Sequence, residues 1–371
     1  MGARNHPTLG EIQRLRDSAW KAIKTATVDG TERDRWWKAW TEHNIVLYGI
    51  TDPSNETPTT DRLLTFAVAV REGKYGLGNQ VKVQSVERAL RHVAQKYVLD
   101  GHPDPRRASP AQQSLDLPIS RLIKSFSDSD PPAQPKLALP ISTITAIAAN
   151  YRWTPHLDAV ADLVTIAFFY LLRVGEYTSP KSAHEKRTIP IRKCDVRLWR
   201  RGMILQHTAT RATLLSADSA TICIANTKNG TKGAVIHHDA FGGPICPVAA
   251  LARRIANLHK HSPSTYLDNV VHPVGHTTHV TDRDIGIAVR WGATSDGLLL
   301  RGYTIDRVSS HSLRAGGAMA LKLSGASDST IMRVGRWTSL TYLTYIHTQI
   351  GALTAGVAQL MSTAITFQNV G

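Results

Sequence analysis

The sequence predicts two domains: an all-α bundle, followed by an α+β domain that is mostly helical and carries a small antiparallel sheet. Three observations lead there. At 371 residues the chain has room for roughly two domains of about 150. Residues 127–135, Ser-Asp-Ser-Asp-Pro-Pro-Ala-Gln-Pro, hold three prolines and no apolar period, the mark of an extended linker. Apolar residues recur with helical spacing before that stretch, whereas after it helical runs frame a block rich in isoleucine and valine. The boundaries read as 1–126 for the bundle, 127–137 for the linker and 138–371 for the second domain.

In the bundle, Thr31 to Tyr48 opens on Thr-Glu-Arg-Asp and carries Trp36, Trp37 and Trp40. Thr60 to Glu72 opens on Thr-Thr-Asp and ends at Gly73. Val86, Leu90, Val93 and Tyr97 then recur at helical spacing until Gly101, and Arg88, Arg91 and Lys96 give that helix a basic outer face. A shorter helix is expected over Ser120 to Phe126. Beyond the linker, Ile141 to Ala149 and Ala159 to Leu172 read as helices, the second nearly free of polar residues and therefore buried. Thr188 to Arg201 is basic and β-rich. Ala220 to Ile224 and Ala234 to His238 flank Asn229-Gly230, a strong hairpin signal. From Pro247 onward the pattern is helical again.

Composition narrows the function. Lysine and arginine outnumber aspartate and glutamate by 44 to 29, a formal charge of +15, and the pI is about 9.9. A polyanion is the expected partner. A hydrophobic fraction of 42% builds a real core and excludes a disordered basic tail protein. The longest apolar run, Leu163 to Leu172, is half of what a membrane crossing needs, about 20 residues. No signal-peptide pattern opens the chain, so an intracellular protein is expected. Cys194, Cys223 and Cys246 lie too far apart for a CxxC site. His272, His276 and His279 have ligand-like spacing, but Pro273 and Gly275 prevent the helix that would align them; no metal or other cofactor is expected.

Three constellations can carry chemistry. Arg173 ends the buried helix, where a guanidinium is costly unless an anion pairs with it; Glu176 is one candidate partner. His311-Ser-Leu-Arg314 lies at a helix start behind Ser309 and Ser310, two candidate caps. His311 and Arg314 share one face there and can address a phosphate beside the helix N–H groups. Gly316 and Gly317 follow, a cost of about 1 kcal/mol each that implies close backbone approach. Gly335-Arg-Trp337 precedes Tyr342 and Tyr345, which by themselves read more readily as core residues than as nucleophiles. Lys181 to Arg201 adds eight basic residues, Arg192 and Lys193 among them, as either a solvated strand edge or a surface that tracks phosphates.

The order of these motifs resembles the tyrosine recombinases, the Cre-like phage-integrase superfamily. Within it, the likeness is to the recombinases of eukaryotic Crypton and DIRS-type mobile elements. Leu171-Leu-Arg-Val-Gly-Glu176 resembles the first arginine motif, and His311-Ser-Leu-Arg-Ala-Gly-Gly317 the second. Ile245-Cys-Pro-Val-Ala-Ala-Leu251 resembles a stretch that follows the lysine hairpin in the eukaryotic branch. Gly335-Arg-Trp337 through Tyr345-Ile-His347 resembles the nucleophile segment. The likeness spans residues 138 to 365, and over the first domain it rests on helix pattern alone. Tryptophan and tyrosine are eight positions apart, as in the eukaryotic branch, where bacterial members have nine.

The resemblance implies a SAM-like core-binding bundle and a tyrosine-recombinase catalytic domain that cuts and rejoins double-stranded DNA without metal or ATP. It implies Tyr345 as nucleophile and Tyr342 as a packing residue. Arg173, His311, Arg314 and Trp337 would surround the phosphate, and Glu176 would orient the cations. Lys228 in the hairpin would be the general acid, with Lys232 as the alternative. Arg88, Arg91, Lys96, Arg192, Lys193 and Lys232 are the expected DNA-contacting cations. Leu353, Val357, Leu360, Met361 and Ile365 form one apolar stripe after a Thr348–Gly351 hinge. The family implies that such a helix docks on a neighbouring protomer in a DNA-bound homotetramer, in the nucleus of a eukaryotic host. Two other readings keep the fold: a type IB topoisomerase-like relaxing enzyme, and a domesticated DNA-binding protein without catalysis.

Overall fold

The computed structural model describes residues 9–26, 30–109, 113–132, 136–179, 188–226, 232–273 and 275–345. The chain divides into two compact units, Met1–Ala133 and Gln134–Gly371.

The first unit is helical: α1 (Leu9–Ala26), α2 (Gly30–Tyr48), α3 (Thr60–Arg71), α4 (Val83–Leu99) and α5 (Leu117–Ser129). Its core joins Trp36, Trp40, Leu63, Phe66, Val70, Val86, Leu90, Val93, Tyr97 and Ile119. The buried indole N–H of Trp40 donates to the Tyr97 hydroxyl at 3.1 Å, which donates to the Pro53 carbonyl at 2.6 Å. Every polar group in that chain finds a partner, as burial demands. The α4 stripe is buried as its spacing predicts. Helix α1 is an addition to the elements expected from the sequence.

The last helix of this unit outruns its expected limits. Asp116 accepts the Leu117 N–H at 2.8 Å and starts α5 three residues before Ser120. At the other end α5 continues to Ser129, into the stretch expected to be linker. Asp130 then accepts the Val83 N–H at 2.8 Å and pairs with Arg71, which ties this tail to α3 and α4. The Ser-Asp-Ser-Asp run is therefore a helix end and its anchor.

The second unit contains α6 (Ile141–Asn150), α7 (Pro155–Phe169), α8 (Arg211–Leu215), α9 (Pro247–Asn257), α10 (Asp282–Ser295), α11 (His311–Leu323) and α12 (Asp328–Gly335). Strands β1 (Val196–Arg200), β2 (Met203–Leu205), β3 (Ser219–Asn226) and β4 (Lys232–Asp239) form an antiparallel sheet in the order β2-β1-β3-β4. Helix α7 is buried from Ala159 through Phe168 and packs against α6, α9, α10 and α11. The sheet docks on its end through His238, whose Nε2 lies 3.1 Å from the Phe169 carbonyl. A carbonyl only accepts, so Nε2 carries the proton, and burial lowers the pKa of this imidazole. A second hairpin, β5 (Asn269–Val271) with β6 (Thr277–His279), interrupts the region read as helical after Pro247. Strands of three residues are too short to show alternation. His272 and His276 stack there with ring centres 4.2 Å apart, and among the described residues no group of three ligands can hold a metal ion. No helix among those residues is long and apolar enough to cross a membrane.

The glycine pair marks a close approach of backbones, as its cost implies. A Cβ on Gly316 would collide with the Leu139 carbonyl, and one on Gly317 with the Phe168 carbonyl and the Leu171 side chain. In α10, a Cβ on Gly286 would meet only the Arg290 guanidinium, at 3.5 Å. The same substitution should therefore have opposite signs at the two sites. Gly317→Ala is expected to lose about 1–3 kcal/mol by overpacking against a carbonyl that cannot move aside. Gly286→Ala should gain up to about 1 kcal/mol from helix propensity. Urea unfolding midpoints of the two variants check this; equal shifts would contradict it.

Candidate active site

The site begins where α7 ends. Leu171 has φ +48°, a left-handed conformation that costs a branched residue on the order of 1–3 kcal/mol. The Leu172 N–H folds back onto the Ala167 carbonyl at 3.0 Å and closes the helix. Leucine stays there because its side chain is buried with Ala138, Ala315, Trp337 and Tyr342. Its carbonyl accepts from two arginines, Arg314 Nη1 and, at 3.0 Å, Arg336 Nη2.

Arg173 follows on a short turn closed by Glu176. The Glu176 carboxylate is fully buried; it accepts the Arg173 N–H at 2.9 Å and lies 3.3 Å from the Arg173 guanidinium. Its Oε2 also accepts from Arg336 at 2.7 Å. Two guanidiniums thus share one carboxylate, and a third, that of Arg314, meets Arg336 at the Leu171 carbonyl. Carbonyls at the C-terminal ends of α7 and α12 accept from the η nitrogens of Arg314 and Arg336, which suits the negative ends of both helices.

Helix α11 brings in the second arginine. His311 is its first residue and is exposed, and Arg314 lies one turn on, buried. Neither expected cap acts as one: Ser310 makes no side-chain cap bond, and Ser312 instead accepts the Ser309 N–H at 3.1 Å. The N–H groups of Ser312 and Leu313 are already bonded to the Ser309 and Ser310 carbonyls. An anion here meets side chains first. Arg314 is enclosed, donating to the Leu171 and Gly335 carbonyls beneath the Trp337 ring, whose centre is 4.3 Å from its guanidinium carbon. Trp337 folds back there because residue 335 is glycine; a Cβ would strike the indole.

The turn Leu340–Tyr345 carries both tyrosines. Tyr342 is fully buried, and its hydroxyl donates to Asp328 at 2.5 Å, an oxygen shared with Lys322 at 2.7 Å. Burial raises its pKa, which further disfavours a nucleophilic phenolate. Tyr345 is the last residue of this turn. Residues 227–231 separate the paired residues Asn226 and Lys232, so Lys228 lies outside the described residues, as does the helix expected after Gly351.

The basic residues separate into two kinds. Arg88 and Arg91 are exposed on α4, with Arg88 3.6 Å from Glu32, and Lys96 pairs with Asp100 at 2.6 Å. Arg192 is half-buried and holds Asp195 through two bonds of 3.0 Å. Lys193 corrects the expectation of a DNA-facing cation. It is buried, and its Nζ donates to the carbonyls of Leu258, His259 and His261 at 2.9–3.0 Å. Three donors meet three acceptors just past the C-terminus of α9, a structural role. Arg336 was the residue that sequence reasoning passed over, although it stands inside the quoted Gly-Arg-Trp motif.

No protein-family model matches the chain, and no curated protein does. Solved structures do. The chain is similar to the Tn1549 transposon integrase in complex with circular intermediate DNA, at 13% identity and a TM-score of 0.50, over 94% of this chain and 98% of that one. It is similar to the XerH site-specific recombinase bound to palindromic difH substrate in a post-cleavage complex, at 14% identity and a TM-score of 0.53, over 92% of this chain and 83% of that one. The second unit has the fold of the tyrosine-recombinase catalytic domain.

Proposed function

We propose that a chain with this fold and this arginine cluster is a tyrosine recombinase that exchanges DNA strands through a 3′-phosphotyrosine intermediate. The observation that carries the reading is the meeting of Arg173, Glu176, Arg314 and Trp337 at the joined ends of α7 and α12, with His311 one turn from Arg314. Guanidiniums gathered at a helix junction, with Arg173 part-exposed, suit the holding of a phosphodiester whose negative charge grows during attack.

In this reading Arg173 meets a non-bridging oxygen from the exposed side. Arg314 reaches the other after exchanging a carbonyl partner for phosphate. Tyr345 attacks in line, forming the tyrosyl phosphate and breaking the bond to the 5′-oxygen. His311 takes or shares the phenolic proton, Lys228 protonates the departing 5′-oxygen, and Trp337 donates its indole N–H to phosphate. The 5′-hydroxyl of a second strand reverses the step. The covalent bond conserves the energy of the broken linkage, so no ATP is consumed.

The first unit would grip DNA as the core-binding domain, through Arg88, Arg91 and Lys96. Placement among the Crypton and DIRS-type enzymes rests on the motif spelling and the eight-residue spacing, and nuclear residence rests on that placement. Incubating the protein with nicked duplex fragments, trapping covalent complexes and sequencing the attachment points tests the function. Recurrent attachment at one sequence, with recombinant products, is expected; relaxation of supercoils without recombinants would favour a topoisomerase.

Assembly adds a further expectation. The apolar stripe from Leu353 to Ile365 would dock on a neighbour head-to-tail and close a tetrameric ring. Deleting Gly351 to Gly371 should leave single-site binding intact and abolish the paired-site complex. Light scattering of the truncated protein on DNA checks this, and a persisting tetramer would refute docking in trans.

A further inference from the structure

The geometry points to Arg336 as a positioning residue that keeps the charge of Glu176 off Arg173, an inference that rests on the phosphate-binding role read for Arg173 above. Glu176 Oε2 accepts from Arg336 Nη2 at 2.7 Å, the length of a strong charge-assisted bond. The Arg173 guanidinium reaches only Oε1, at 3.3 Å. The tight ion pair is with Arg336, and the loose one with Arg173. Exposure divides them the same way: the Arg173 side chain is 23% exposed and that of Arg336 is 4%.

Arg336 is fixed by protein on several sides. It donates to the carbonyls of Tyr170 and Val334 at 3.2 Å and of Leu171 at 3.0 Å. Enclosed in this way, it acts on substrate only through its neighbours. Its backbone strengthens the argument. Arg336 ends α12 at φ +57°, a position where glycine closes a helix at lower cost. Only the side chain accounts for an arginine at that position.

The consequence is electrostatic. A buried carboxylate beside Arg173 alone would cancel the charge a phosphate needs and draw the guanidinium inward. Arg336 compensates Glu176 from the protein side and leaves Arg173 a surplus for the incoming anion. It also shares the Leu171 carbonyl with Arg314, so one side chain sets the surroundings of both phosphate-facing arginines.

The test is single-turnover covalent attachment at saturating DNA, on the nicked duplex to which the wild-type chain attaches fastest. Arg336→Met is expected to slow attachment about 100-fold with DNA affinity unchanged. Adding Glu176→Gln should restore most of that loss, because an amide still accepts the Arg173 N–H but carries no charge to cancel. Arg336→Lys, which keeps the charge, should stay within about tenfold of wild type. If the methionine variant does not fold, Arg336→Gln, which keeps a hydrogen-bond donor without the charge, takes its place in both comparisons. A double variant as slow as its Arg336 parent, or an Arg336→Met rate equal to wild type, overturns the proposal alone. No attachment by the wild-type chain overturns the recombinase reading, and the proposal with it.

Discussion

Replacing Tyr345 by phenylalanine is expected to abolish covalent attachment to DNA, by a factor of about 10⁴ or more, while affinity for DNA stays nearly unchanged. In the proposed mechanism the phenolic oxygen is the bond-forming atom, and a benzene ring has no substitute for it. In the same proposal affinity has a different source, many phosphate contacts spread over a chain of charge +15. Tyr342→Phe serves as the control. Its hydroxyl is spent on Asp328, and its ring fills the space beside Trp337, 5.7 Å away between centres. Phenylalanine keeps that packing, so attachment should persist. Attachment measured on denaturing gels decides between the two tyrosines; loss in Tyr342→Phe with retention in Tyr345→Phe would reverse the assignment.

Lys228→Ala is expected to slow cleavage of ordinary DNA by about 10²–10⁴-fold, the usual worth of a general acid. A 5′-alkoxide leaves poorly without a proton. A 5′-thiolate leaves well without one, so on a 5′-phosphorothiolate duplex the same variant should come within about tenfold of wild type. Equal defects on both substrates would move the acid to Lys232 or leave Lys228 a purely electrostatic role.

Much of this arrangement is legible in the sequence because its logic is local. His311 and Arg314 share a helix face through their spacing alone. The Asn229-Gly230 dipeptide identifies the β3–β4 pairing, and the glycine pair in α11 announces a backbone contact before its partner is known. What the sequence hides depends on distant partners. Arg336 looks like one more basic residue until the fold brings it to Glu176, 160 positions away in the chain. Lys193 sits in a basic run and reads as surface, yet three carbonyls after α9 enclose it. Ser127 to Asp130 has a linker's composition, but Arg71 and the Val83 N–H bind Asp130 and make it the end of a helix. Composition reports an average environment, and these residues depart from the average because particular acceptors meet them.

The central claim is that Tyr345 becomes joined to a DNA 3′-phosphate, and peptide mapping of the trapped covalent complex tests it most directly. Digesting the complex with protease and nuclease and sequencing the nucleotide-bearing peptide by mass spectrometry should place the adduct on Tyr345, with a free 5′-hydroxyl on the other DNA product. An adduct on Tyr342 or another residue, or attachment through a 5′-phosphate, would contradict the account.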